Sequence, residues 1–316
     1  MLGLPERAFA DPETGGKLDV FQLADWLEGC ITFADDFISQ HDVIDALHEN
    51  YLTDKTDSQS AKDDATIWVE AAWSELARRA LCLGKSAPYR LNGVRLERKC
   101  EWQQSPVFAF CLLVGLRPVY RQAFKEFKDY SEQGELFEQV TIAALKALGW
   151  EVHGVGWSKQ GANSIAEKVD AVARFIGVDR LDGATEKWTA PKAKDAGLDV
   201  ICQYVFKDRW SGRPVILTQC ASGENWEDKL HTPDLNTWGK LVDFCTAPLR
   251  GLSMPFVIRP ERFRRAGVRD SVTLLLDRNR LAIPDQLPDA WIPSELNEEL
   301  QSWLKKRVEV LIATAN

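Results

Sequence analysis

The chain predicts an α/β fold in which a sheet is flanked by helices, behind an N-terminal domain that is mainly helical. Three observations carry this. Residues 18 to 83 hold stretches whose apolar residues recur at helical spacing. Two short apolar runs, Leu198-Asp199-Val200-Ile201 and Val215-Ile216-Leu217-Thr218-Gln219, have strand length, and each delivers a polar group at a fixed point. A helix carrying Phe137-Glu138 and ending at Leu148-Gly149-Trp150 precedes them. The reading divides the chain into a helical domain with a β-hairpin (1–118), an α/β core (119–290) and a C-terminal helix (291–316).

Composition bounds the class. A chain of 316 residues, 45% apolar and 27% charged, fits one or two ordinary globular domains with ample core. Its seven cysteines form no CxxC pair, and several lie in apolar runs such as Phe110-Cys111-Leu112. They read as buried thiols in a reducing compartment, which argues against a zinc site or a disulfide framework. Met1-Leu-Gly-Leu-Pro-Glu lacks the basic-then-apolar pattern of a leader, and no apolar run approaches the roughly 20 residues of a spanning helix. The expectation is a cytoplasmic protein with no membrane partner. Residues 1 to 75 hold four Lys/Arg against seventeen Asp/Glu, a net of -13, and the other 241 hold 35 against 30, a net of +5. The acidic front end is a poor surface for a phosphate backbone; it reads as a solvated face or a docking surface.

Taken in order, Phe21, Leu23, Ala24, Leu27 and Ile31, then Phe37, Ile38, Val43, Ile44 and Leu47, predict two helices, with Asp42 capping the second. Thr53 to Lys62 reads as a polar loop, and Asp63 to Leu83 as a helix closed by Gly84. His41 and His48, seven apart on one helical face, read as surface or half-buried groups. Pro88 to Lys99 alternates about Asn92-Gly93, a hairpin signal. Its Arg90, Arg95, Arg98 and Lys99 suit either a phosphate-contacting wing or an ordinary wet face. Val107 to Val114 is a buried strand or helix, and Tyr120 to Leu148 one helix or two broken near Gly134. Glu151 to Trp157 alternates as a strand, Lys159 to Asn163 is a turn, and Ser164 to Ile176 a helix. Beyond the core, Thr237 to Ala247 predicts a helix and Pro255 to Ile258 a strand. Val272 to Asp277 predicts a further strand, ended by an ion pair of Asp277 with Arg278 or Arg280. Trp291 to Ile312 predicts a helix that caps the core or makes a dimer contact.

The order of Phe137-Glu138 on a helix, Leu148-Gly149-Trp150, Lys194-Asp-Ala-Gly-Leu-Asp199-Val-Ile and Val215-Ile-Leu-Thr-Gln219-Cys-Ala-Ser222 resembles the PD-(D/E)xK nuclease superfamily. It looks most like the Mrr-type branch of type IV restriction enzymes. The resemblance covers roughly residues 130 to 280 and implies a restriction-endonuclease-like core with a mixed central sheet. Matched one by one, Glu138 is the helix carboxylate, Asp199 the metal-binding aspartate, and Gln219 the glutamine that replaces a second acid. Asp195 and Gly197 form the turn before the aspartate. Where the family has its lysine, this chain has Ala221.

The implied chemistry is phosphodiester hydrolysis with Mg²⁺ or Mn²⁺, in which hard oxygen ligands gather around the ion. Glu138 and Asp199 would be ligands through their carboxylates, Gln219 through its side-chain carbonyl and Cys220 through its backbone carbonyl. Three readings of Ala221 stand. The cation has moved, with Lys229 on a helix opened by Gly223 as the first candidate and Lys194 and Lys159 behind it. Or the metal suffices, with Ser222 placing water. Or the site is dead. Arg259 to Arg269 packs five arginines into eleven residues. That is either a DNA-contacting surface through Arg262, Arg264 and Arg265 or a solvated helix face. No GxxxxGK[ST], GxSxG or HExxH occurs, which removes the usual signals of nucleotide, serine and zinc hydrolases. The expectation is an endonuclease acting on foreign DNA such as phage, alone, as a homodimer or with another defence subunit. The alternative is a degenerate nuclease-shaped module that binds DNA or a protein.

Overall fold

A computed structural model of the chain describes residues 1–5, 9, 19–51, 58–156, 164–181, 183–188, 196–208, 210, 212–283 and 291–315. The predicted turn at Lys159 to Asn163, the strand's end at Trp157, and Lys194 and Asp195 lie outside these. The chain divides into two compact units, one of residues 1–128, 278–288 and 297–316, the other of residues 129–277 and 289–296. Where the sequence reading set residues 291–316 apart, most of that segment counts with the first unit.

In the first unit the elements are α1 (Val20–Phe33), β1 (Phe37–Ser39), α2 (Gln40–Tyr51), α3 (Ser58–Leu83), β2 (Tyr89–Asn92), β3 (Arg95–Arg98) and α4 (Pro106–Leu116). The predicted helix across Phe37 and Ile38 is instead β1, which pairs antiparallel with β3 and puts Ile38 opposite Leu96. Ser39, not Asp42, caps α2. Its hydroxyl accepts from Asp42 N at 3.2 Å, and Asp42 Oδ2 accepts from Ser39 N at 3.1 Å, a reciprocal capping box. Of the loop expected from Thr53 to Lys62, residues 53–57 lie outside the described residues, and residues 58–62 belong to α3. The hairpin β2–β3 forms as expected, with Gly93 at φ +59 taking the turn position that a side chain resists. Its cations are used locally: Arg90 pairs with Glu97 at 2.7 Å, Arg98 with Asp36 and Glu101, and Lys99 donates to Ala87 O at 2.8 Å. The run Val107 to Val114 is helical and buried throughout, as the centre of the unit.

In the second unit follow α5 (Tyr130–Ala147), β4 (Glu151–Gly154), α6 (Ile165–Ile176), α7 (Ala184–Trp188), β5 (Val200–Gln203), β6 (Val215–Cys220), α8 (Leu235–Leu241), β7 (Leu249–Ser253), α9 (Pro260–Arg269) and β8 (Val272–Leu276). The helix expected from Tyr120 begins only at Tyr130, since residues 121–126 form turns, and it runs through Gly134 without a break. α6 starts with a Ser164–Glu167 capping box and stops at Gly177 in the left-handed region, as Ser and Gly at those points predict. α8 ends at Leu241, short of the expected Ala247, and the expected strand at Pro255 to Ile258 is absent. The strand that exists there is β7, whose Leu-Arg-Gly-Leu-Ser alternates too weakly to announce itself.

The five strands lie in the order β4-β5-β6-β7-β8, antiparallel across β4, β5 and β6 and parallel from β6 to β8. The fold is thus α/β with a mixed sheet flanked by helices. Thr141 of α5 and Ser253 of β7 share a hydrogen bond at 2.8 Å, which seats α5 on one face. Val169, Val172 and Ile176 of α6 and Trp238 and Leu241 of α8 pack with Ile201 and Leu217 on the other. The period of two along β6 therefore sends Thr218 and Cys220 toward α5, and Leu217 and Gln219 toward α6 and α8.

The chain closes with α10 (Arg278–Ala282), in the first unit, and α11 (Ser294–Ile312), whose Trp303 meets Phe110 of α4 at 4.9 Å between ring centroids. Arg278 does not serve a strand-end pair with Asp277. It is fully buried in the first unit, bonded to Asp25 and Glu28. Among the described residues no helix is long and apolar enough to cross a membrane.

Candidate active site

The antiparallel register of β5 and β6 pairs Val200 with Thr218, so Asp199 and Gln219 face each other one position beyond the last pair. Asp199 is delivered by a turn in which Ala196 (φ +47) and Gly197 (φ +72) are both left-handed. Only glycine fits at position 197, since a Cβ there would collide with the Thr232 side chain. Trp238 Nε1 donates to Ala196 O at 3.4 Å and holds the turn.

On the other side of Asp199, Val155 N and Gly156 N both donate to its carbonyl, at 2.6 and 3.0 Å. Two residues of the β4 chain thus face one of β5, the arrangement of a β-bulge, which bends an edge strand and re-aims its neighbours. The bulge sits at Gly156, and Gly154 precedes it. A Cβ at 156 would lie 2.7 Å from Glu138 Oε2 and 2.9 Å from Asp199 Oδ1. A Cβ at 154 would lie 2.9 Å from Ile142 Cδ1 and 3.4 Å from Glu138 Oε1. Glu138 and Ile142, one turn apart on α5, therefore press onto a strand whose side chains have been removed to receive them. Glu138 is only 3% exposed.

The second oxygen of Asp199 is held by the backbone. Asp199 Oδ2 accepts from Cys220 N at 2.7 Å and from Gln219 Nε2. The same amide nitrogen donates to Cys220 O at 3.2 Å. This differs from the expected ligand set. Gln219 points its nitrogen, not its carbonyl, at the aspartate, and the Cys220 carbonyl is engaged by that nitrogen. Burial, then the charges of Asp199 and Glu138, hold the Cys220 thiol well above the ordinary thiol range, against weaker opposite pulls from Thr141 and Lys229. The thiol is therefore neutral and a poor nucleophile at neutral pH.

Two lysines bear on this place. Lys229 ends the one-turn segment Trp226–Lys229, which is a 3₁₀ turn and not the expected helix opening. Its charge is felt at Cys220, but its ammonium has no hydrogen bond or ion pair among the described residues. The residue that sequence reasoning missed is Lys168 of α6. It is 7% exposed, and its Nζ donates at 3.3 Å to the carbonyl of Gly156, the residue over which the two carboxylates meet. A lysine is rarely buried without anionic neighbours. The signal in the sequence was a lysine between Ile165 and Val169 on the apolar side of a strongly amphipathic helix. Ala221 is fully buried and packs with Leu252, Met254 and Ile258, so position 221 faces core and carries no charge to the site.

The donor set suits a hard divalent cation in one respect. Two carboxylates converge on a point from which glycine has removed the carbon, and Mg²⁺ commonly takes one or two carboxylates and keeps waters for the rest. Among the described residues no cluster of three or more His, Cys, Asp and Glu is present. Of the expected DNA-contacting arginines, Arg262 and Arg265 line a cleft on α9, joined by Arg269, while Arg264 does not. Comparison with protein-family models, curated proteins and solved structures returns no match.

Proposed function

We propose that the chain is a divalent-metal-dependent endonuclease with a restriction-endonuclease-like core, hydrolysing DNA phosphodiester bonds and restricting foreign DNA. The observation that carries the reading is the convergence of the Glu138 and Asp199 carboxylates over Gly156. Two carboxylates facing one point, Glu138 buried and Asp199 partly exposed, repel unless a cation or a proton lies between them. Mg²⁺ or Mn²⁺, when bound, supplies Lewis acidity toward a phosphoryl oxygen and makes a bound water a better nucleophile.

The protein's own residues do the rest. Glu138 and Asp199 would hold the cation through their carboxylates. Cys220 N and Gln219 Nε2 fix Asp199 by its other oxygen, so the carboxylate is oriented before substrate arrives. Lys168 holds the Gly156 carbonyl and adds positive charge behind the bulge, where a developing phosphorane charge benefits from it. Membrane association is no part of the proposal; partners are DNA and a second copy or another defence subunit.

A second reading, a degenerate module that binds DNA or a protein, is favoured by the burial of Ala221 and by Gln219 turning its nitrogen to Asp199. One assay separates the two: conversion of supercoiled plasmid to nicked and linear forms with Mg²⁺ or Mn²⁺. The nuclease reading expects activity in the wild type that is abolished by chelator and falls at least ~100-fold in Glu138→Gln and Asp199→Asn. Equal activity in those variants would sink it.

A further inference from the structure

A cleft of about 360 Å³ opens in the second unit between the Trp226–Lys229 turn and α9; Trp226, Leu230, His231, Arg265, Ala266 and Arg269 line it, as do the paired Arg262 and Glu227 and the acid Asp270. That volume is within the range of small-ligand sites, roughly 300–1,000 Å³. Helical spacing builds the wall: Arg262, Arg265, Ala266 and Arg269 fall on one face of α9. Arg262 is spent on Glu227, tying helix to turn. His231 lies 3.7 Å from Asp270, whose backbone carbonyl accepts from Arg250 at 2.9 Å. The guanidiniums of Arg265 and Arg269 have no ion pair or hydrogen bond among the described residues. The floor is apolar and backed, since Trp226, Leu230 and Phe263 pack on Leu252, Met254 and Val272.

An ordinary solvated arginine face would have neither the concavity nor the indole. Two uncommitted guanidiniums one turn apart present forked donors to an oxyanion, and the apolar wall with Trp226 offers a surface to a planar ring. We propose that this cleft binds a nucleotide, its phosphate on Arg265 and Arg269 and its base against Trp226. The nucleotide is either free or one unit of a nucleic-acid strand. Only the strand form rests on the nuclease reading, as a place that grips the substrate beside the turn that carries Lys229.

The test is equilibrium binding to the full chain in the presence of EDTA, so that cleavage plays no part. The probes are a fluorescently labelled AMP and a short labelled oligodeoxynucleotide. The expected result is that at least one probe binds and is weakened about tenfold or more by Arg265→Ala with Arg269→Ala. Trp226→Leu should weaken it several-fold. Arg264→Ala, on the same helix but outside the cleft, should weaken it far less, which separates the cleft from a general arginine face, and unaltered melting temperatures should show that the variants are folded. Tighter binding of the oligonucleotide, competed by AMP, assigns the strand; binding of AMP alone assigns the free nucleotide. No binding of either probe to the wild type, binding indifferent to the paired arginine variant, or inorganic phosphate competing as well as AMP would overturn the proposal.

Discussion

At the scale of single residues the site depends on an absence. Gly156 leaves a space that a methyl group would fill at 2.7 Å from Glu138 and 2.9 Å from Asp199. Gly156→Ala should therefore separate the carboxylates, lowering metal-dependent cleavage by about tenfold or more at little cost to stability. Comparing metal titrations of the rate with the melting temperature checks this. Lys168 makes a different prediction. Lys168→Met removes the charge and keeps the apolar stem, so the plasmid-cleavage rate should fall roughly 10- to 100-fold while the far-ultraviolet spectrum is retained. A rate within twofold of wild type would assign Lys168 to packing alone.

At the scale of elements, the first unit is joined by a buried polar network instead of by apolar contact alone. Arg79 of α3 donates to Asp25 and Glu28 of α1 at 2.7 Å each and to Glu75 at 2.8 Å, Tyr89 Oη donates to Glu28 at 2.7 Å, and Arg278 of α10 bonds the same two acids. Removing one member leaves an uncompensated buried charge. Arg79→Met or Glu28→Gln should destabilise by about 3–5 kcal/mol, read from denaturant unfolding. Burial alone would raise the Asp25 carboxyl, but Arg278 and Arg79 outweigh it and hold it below its ordinary value; Glu75 is lowered against burial by Arg78 and Arg79. A carboxylate lowered in the folded state contributes fully above its unfolded value and loses that contribution as pH falls through the folded one. The melting temperature should therefore drop below about pH 4, and less steeply in Asp25→Asn.

The same scale shows what the sequence made legible. Period and capping residues announced α6 and the hairpin, because Ser164, Glu167, Gly177 and Gly93 act locally. β1 and β7 were hidden. Their pairing partners, not their own short and weakly alternating sequences, make them strands. Asp199 and Gln219 could be paired from their strands alone. Gln219's turn toward Asp199, the bulge at Gly156 and the arrival of Lys168 are products of packing between elements distant in the chain. No local pattern encodes them, beyond the lysine on the apolar side of α6, which does not say where its ammonium arrives.

At the scale of the whole molecule, charge is divided. The net of -13 over residues 1 to 75 lies in the first unit, while α9 with its arginines and the carboxylate pair lie in the second. DNA affinity should fall steeply between low and physiological salt. The slope should become shallower by about one phosphate contact for each of Arg265 and Arg269 removed, and stay unchanged when Asp63 and Asp64 are neutralised. Anisotropy titrations at several salt concentrations read this directly. The central claim, however, is that Glu138 and Asp199 form a cation site, and it can be tested without knowing the DNA sequence recognised. Titration of Mn²⁺ into the metal-free chain, followed by electron paramagnetic resonance, counts free against bound ion. The prediction is saturable binding that weakens about tenfold or more in Asp199→Asn, Glu138→Gln and Gly156→Ala. Binding of equal strength in all three variants, or none in the wild type, would contradict it.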